Sequence, residues 1–308
     1  MVMGDMELST DLLVIGSGPG GYAAAFRAAD LGLDVTLVDP KPRPGGVCLY
    51  EGCIPSKTFL HAAELVLDAQ QAAAMGLHFA TPRLELSELR HWKQQVINSM
   101  ADGLAYLSKK RGVQLIKGLA RFEDANTVLL ERSEIRRIRF QKAIIATGSR
   151  TIAFPGTDFL SSGRIMDSTK ALALADIPGS LLIIGGGYVG LELGTVYAAL
   201  GSKVHLAERS DRLLSGLDRD LVQPLQNRLT TLFARISLQT KVISMQETAD
   251  CVEVSLQEGS GEPEALSFDR VLVAIGRRPN SADLGLENTG VKLTERGFVE
   301  IDNRQQTT

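Results

Sequence analysis

The sequence predicts an α/β protein built on two Rossmann-like units, and three observations carry that prediction. Near the N-terminus an apolar strand runs into a glycine-rich turn, an alanine-rich helix and a second strand closed by Asp39. The same layout returns with identical spacing. Gly16 to Asp39 is 23 positions, as is Gly185 to Glu208, and the helix-ending glycines Gly32 and Gly201 each lie 16 positions after the first glycine. Composition agrees, because 30 glycines and only 5% aromatics suit tight strand-to-helix turns better than a β-sandwich or a stacking surface. Two matching copies in one chain imply two domains, each with its own dinucleotide.

Taken in order, residues 11–15 are a short apolar strand, the first helix runs to Leu31, and a strand at 34–38 follows. Residues 87–111 read as a long amphipathic helix around Leu89, Val96, Ile97, Leu104 and Leu107. Short β runs are predicted at 127–130 and 135–140, then a strand at 142–146 that ends in Ala146-Thr147-Gly148-Ser149. Pro155-Gly156 marks a linker. The second unit is a strand at 180–184, a helix to Leu200 and a strand at 203–207, with further strands at 252–256, 271–275 and 297–301.

With 44% hydrophobic and 22% charged residues, the 308-residue chain has material for two cores and is not generally disordered. A net charge of −3 offers no basic excess for nucleic acid or anionic lipid. The opening residues lack a basic region followed by an apolar stretch, so a cytoplasmic location without a leader is expected. Residues 181–201 are apolar and long enough to span a bilayer, yet Glu192 and the glycines at the start read better as strand, turn and helix. Three cysteines in a cytoplasmic chain argue for chemistry rather than a disulfide framework.

Gly16, Gly18 and Gly21 form G-x-G-x-x-G at a helix start. The glycines permit the tight turn, the close approach of a pyrophosphate and helix–strand packing, and Asp39 is placed to accept from a ribose diol. A glycine-rich turn without ligand is the competing reading. The second copy, Gly185, Gly187, Gly190 and Gly194 with Glu208, is fuller; its carboxylate repels a 2′-phosphate and favours NAD over NADP, with Arg209 and Arg212 nearby arguing the other way. The third feature is Gly45-Gly46-Val-Cys48-Leu-Tyr50-Glu51-Gly-Cys53-Ile-Pro-Ser-Lys57. Two cysteines so spaced at a helix start suit thiol–disulfide exchange. A zinc site would need further ligands, and a pair of inert buried thiols is the bland alternative. Cys251 is read as an incidental thiol, opposite the face of Val252, Val254 and Leu256.

Together these residues resemble the flavoprotein disulfide reductases, and within them the dihydrolipoamide dehydrogenases. That family pattern is an FAD fingerprint, a GG-x-C-x4-G-C-x-P-x-K redox helix, an Ala-Thr-Gly motif, an inserted NAD fingerprint and a Gly-Arg-x-Pro-Asn return. Here those stand at 16–21, 45–57, 146–148, 185–208 and 276–280, covering essentially the whole chain in order. The resemblance implies an FAD domain at 1–150 with the redox helix, an NAD domain at 151–275 inserted into it, and a return segment at 276–308. Carried over by position, Cys48 is the interchange thiol and Cys53 the flavin-side thiol. Lys57 lies near flavin N5, paired with Glu192. FAD-binding positions are Gly16, Gly18, Gly20, Gly21, Asp39, Gly45, Gly46, Lys57, Ala120, Thr147 and Gly148. NAD-binding positions are Gly185, Gly187, Val189, Gly190, Glu208, Val242, Ala274, Gly276 and Arg277. No metal ligand is expected.

The implied activity is oxidation of dihydrolipoamide by NAD through a Cys48–Cys53 disulfide and FAD. The implied partner is the lipoyl group of a 2-oxo acid dehydrogenase complex, and the family assembly is a homodimer. Two departures stand out. Tyr50-Glu51 replaces the usual Asn-Val. The sequence also ends before the second FAD motif and the interface domain that carries the family's His-Glu pair and most of its dimer contact, so impaired activity is expected. None of His61, His78, His91 or His205 matches that base, and each is expected on a helix or strand surface. A sibling disulfide or mercuric reductase is one alternative and a non-catalytic dinucleotide-binding fragment another; a zinc-binding module is a remote third.

Overall fold

A computed structural model describes residues 6–80 and 82–308. The first five residues, on which the reading of an absent leader partly rests, lie outside them. The chain divides into two compact units: Met1–Tyr50, Ile97–Arg150 and Arg278–Thr308 make one, Glu51–Val96 and Thr151–Arg277 the other.

In chain order come β1 (Met6–Ile15), α1 (Pro19–Asp30) and β2 (Val35–Asp39). Pro19 opens α1, where its missing N–H costs nothing, and Gly32 takes φ +87° to turn the chain beyond the helix end. The helices α2 (Gly46–Glu51), α3 (Cys53–Gln71) and α4 (Leu86–Lys110) follow, then β3 (Gln114–Lys117), β4 (Leu119–Phe122), β5 (Thr127–Glu131) and β6 (Ile135–Ile145). The first unit's sheet has the order β3-β2-β1-β6-β5-β4. It is parallel from β3 to β6, and β5 and β4 are added antiparallel.

Three expectations change here. The runs at 135–140 and 142–146 are one strand, because β1 pairs with β6 from Met6↔Ile135 to Ile15↔Ile145 and templates its whole length. In α4 the buried positions are Ile97, Ala101 and Ser108, so small residues make the close contact and Leu107 stays exposed. Residues 297–301 form no strand; Val299 makes only an isolated bridge with Leu293.

The remaining elements are β7 (Ser149–Thr151), β8 (Ile165–Met166), α5 (Ser168–Ala173), β9 (Ser180–Ile184), α6 (Tyr188–Ala199) and β10 (Lys203–Ala207). After them come α7 (Arg219–Leu232), β11 (Arg235–Ser237), β12 (Thr240–Glu247), β13 (Val252–Glu258), β14 (Glu264–Phe268), β15 (Arg270–Val273) and β16 (Arg277–Pro279). In the second unit β11-β10-β9-β15-β8 form a parallel sheet and β12-β13-β14 an antiparallel one. Leu181 and Ile183 of β9 pack into the cluster shared by α3, α5, α6 and α7, while Leu182 and Ile184 pack against the β12–β14 sheet. A strand covered on both faces must be apolar throughout, which explains the unbroken run at 181–184. The apolar stretch at 181–201 is therefore strand, turn and helix, and among the described residues no helix is long and apolar enough to cross a membrane. Phe59, Ala63 and Leu67 of α3 belong to the same core as α6, which groups residues 51–96 with the second unit.

Candidate functional site

Each unit builds the same cradle at the carboxyl end of its central strand. In the first, Gly16 takes φ +100°, and a Cβ there would stand 2.3 Å from the Ala146 carbonyl oxygen; a Cβ at Gly21 would stand 1.7 Å from that of Gly16. In the second, Gly185 at φ +112° and Gly190 repeat this against Ala274 and Gly185. Gly18 and Gly187 are the N-caps of α1 and α6, with no side-chain cap and no acid in the first turn. A Cβ at Gly187 would meet nothing within 4 Å, so the helix N–H groups face open space.

The closing acids serve the turns. Asp39 accepts from the Ser17 and Lys41 N–H groups at 2.7 and 2.8 Å. Glu208 accepts from the Gly186 and Ser210 N–H groups, both at 2.6 Å. A carboxylate has about four lone-pair sites, so each acid keeps acceptor capacity for hydroxyl donors. Beside the first turn, Gly45 N–H donates to the Ser17 carbonyl, and a Cβ at Gly46 would lie 2.5 Å from the Gly18 Cα. The buried Ser17 hydroxyl finds no partner.

Gly52, at φ −146° and ψ −111°, separates α2 with half-buried Cys48 from α3, which starts at exposed Cys53. Cys48 lies on α2 and Cys53 opens α3, and the expected Cys48–Cys53 disulfide is not formed in this structure. Lys57 and Glu192 form the expected pair, Nζ to Oε1 at 2.6 Å, with side chains 59% and 27% exposed. The sequence reading missed Ser56, whose hydroxyl stands 3.1 Å from Glu192 Oε2. It also missed the role of Asn280, which donates to the Thr147 carbonyl, while the Thr147 hydroxyl donates to the Asn280 carbonyl. Asn280 N–H further donates to the Gly148 carbonyl, so the Ala-Thr-Gly turn is held by the return segment. Ala120 lies half-buried in β4 and Val242 half-buried in β12. Val189 is half-buried in α6, Gly276 takes φ +128°, and Arg277 opens β16.

His61, His78 and His91 are exposed, as expected. His205 is not: it is 7% exposed, because the β12–β14 sheet covers its face of β10 and the Phe268 ring packs against it. Burial, reinforced by the Arg235 charge and opposed by Glu264, lowers its pKa to about 4. Among the described residues no group of three or more His, Cys, Asp or Glu is placed to hold a metal.

The family model for pyridine nucleotide-disulphide oxidoreductases matches residues 10–308. A dihydrolipoyl dehydrogenase of Geobacillus stearothermophilus is 42% identical over 308 residues, covering all of this chain and 65% of that protein. One from Vibrio cholerae is 41% identical over 302 residues, 98% of this chain and 63% of that protein. The HOCl-induced flavoprotein disulfide reductase RclA of Escherichia coli, solved as a Cu(II) complex, superposes with a TM-score of 0.82 at 29% identity, covering 97% of this chain and 64% of that one. The chain thus spans slightly under two thirds of the length of these relatives.

Proposed function

Because the chain belongs to the pyridine nucleotide-disulphide oxidoreductase family, we propose that it is an FAD-dependent disulfide oxidoreductase of the dihydrolipoamide dehydrogenase type, passing electrons from a dithiol to NAD. The observation that carries this reading is the doubled glycine cradle, with its doubled acid, in a chain that also carries two cysteines around the start of α3.

The first cradle fits the FAD pyrophosphate and ribose. Gly46 leaves no room for a side chain against Gly18, the Ser17 hydroxyl is unspent, and Asp39 has free acceptor sites. The second fits NAD, with open space at Gly187 and a carboxylate at Glu208 that disfavours a 2′-phosphate. When bound, FAD supplies the two-electron relay between dithiol and NAD. The chain's own residues do the rest. In the disulfide form of the pair, a substrate thiolate attacks Cys48 and Cys53 leaves as thiolate; the second substrate thiol then displaces Cys48, and the substrate departs as a disulfide. Lys57, paired with Glu192, is the ammonium that the resemblance assigns to the flavin and would supply a positive charge to it. The proposed partner is a lipoyl group of a 2-oxo acid dehydrogenase complex, the proposed assembly a homodimer and the proposed setting cytoplasmic. A base for the dithiol is not offered by these histidines: three are exposed, and His205 is sealed beneath a sheet. A positioned base contributes on the order of 10²–10⁴-fold.

The test is to purify residues 1–308, add FAD, and titrate NADH and NADPH. Flavin retention with tighter NADH binding is expected, together with slow NAD reduction by dihydrolipoamide beside a full-length relative. Tighter NADPH binding would overturn the role given to Glu208. Turnover with mercuric or cupric ion but not with dihydrolipoamide would favour a metal-ion reductase.

A further inference from the structure

Ser56 and Lys57 are consecutive residues of α3, and both reach the same carboxylate on α6. Lys57 Nζ takes Glu192 Oε1 at 2.6 Å and Ser56 Oγ faces Oε2 at 3.1 Å, so each oxygen has one α3 partner. Ser56 is only 6% exposed, whereas the Lys57 side chain is mostly in solvent. A long ammonium at a wet position holds one geometry only if its partner is held, and Glu192 has a second restraint in the buried hydroxyl.

The alternative is that Ser56 merely satisfies a helix carbonyl, as serines do. Two residues on, Thr58 does that: its hydroxyl donates to the Ile54 carbonyl at 2.8 Å. Ser56 differs. Its single proton lies between two acceptors at equal distance, the Cys53 carbonyl and the Glu192 carboxylate, both at 3.1 Å. The charged acceptor forms the stronger bond. We propose that Ser56 is a positioning residue, acting through Glu192 to fix the Lys57 ammonium on α3, one turn after Cys53; its functional meaning rests on the reading above.

The test is competitive acetylation of the full chain with limiting acetic anhydride, the rate at Lys57 read by mass spectrometry relative to the other lysines. Ser56→Ala should raise that relative rate about threefold or more, and Ser56→Thr should restore it. Glu192→Gln should raise it at least as far, and Ser56→Ala should add nothing in the Glu192→Gln background. An unchanged Lys57 rate in Ser56→Ala, or full additivity in the double variant, overturns the proposal. Should Ser56→Ala fail to fold, Ser56→Thr and Ser56→Val differ only in the hydroxyl, and equal Lys57 rates in that pair would overturn it too. A purely structural serine would change stability without singling out Lys57. The rates are read with or without flavin, so failure to bind FAD would count against the proposed function and not against this grip.

Discussion

Replacing His205 with glutamine should flatten the acid side of the stability profile. The imidazole is buried on β10, with Nε2 3.0 Å from the Ser237 hydroxyl and the Phe268 ring centroid 5.6 Å from its own. Its pKa falls from 6.5 in the unfolded chain to about 4 in the fold. Between those values the unfolded state binds a proton that the folded state refuses, so stability rises with pH across this window. The penalty begins as pH drops through 6.5 and is complete below 4. The full shift corresponds to about 3 kcal/mol, and about 2 kcal/mol of it is felt at pH 5. Against a typical total of about 5–15 kcal/mol, that is measurable. The assay is urea unfolding of both proteins at roughly pH 7.5, 6 and 5, spanning that window. Carboxylates elsewhere titrate in both proteins and cancel in the difference. Parallel curves for His205 and its glutamine variant would refute the reasoning.

Two glycines of the second cradle should separate folding from binding. Gly190→Ala forces a Cβ to 2.3 Å from the Gly185 carbonyl oxygen and should cost about 1–3 kcal/mol in chemical denaturation. Gly187→Ala meets open space, so the melting temperature should hold while NADH affinity drops about tenfold, read by nucleotide fluorescence. Equal loss of stability in both would contradict the assignment. In the flavin-free protein, exposed Cys53 should react with iodoacetamide ahead of half-buried Cys48 and Cys251 in a mass-spectrometric time course; the reverse order would contradict the exposures described above.

Much of this protein is legible in its sequence, because the decisive signals are local. Glycine turns, strand lengths and closing acids are set by neighbours within a few residues, so β9 and β10 fall at the predicted positions and the cradles share the glycines Gly16/Gly185, Gly18/Gly187 and Gly21/Gly190. The Lys57–Glu192 pair was reached only through resemblance, since nothing local links α3 to α6. Tertiary structure alone decided the rest. Ser56 meets Glu192 across 136 residues. His205 is buried only because a sheet formed after it in the chain closes over β10. β6 is continuous because β1 offers it a ladder of equal length, and 297–301 stays irregular for want of one. A backbone segment becomes a strand, and a polar side chain becomes buried, through partners far away in sequence, and those partners exist only once the chain has packed.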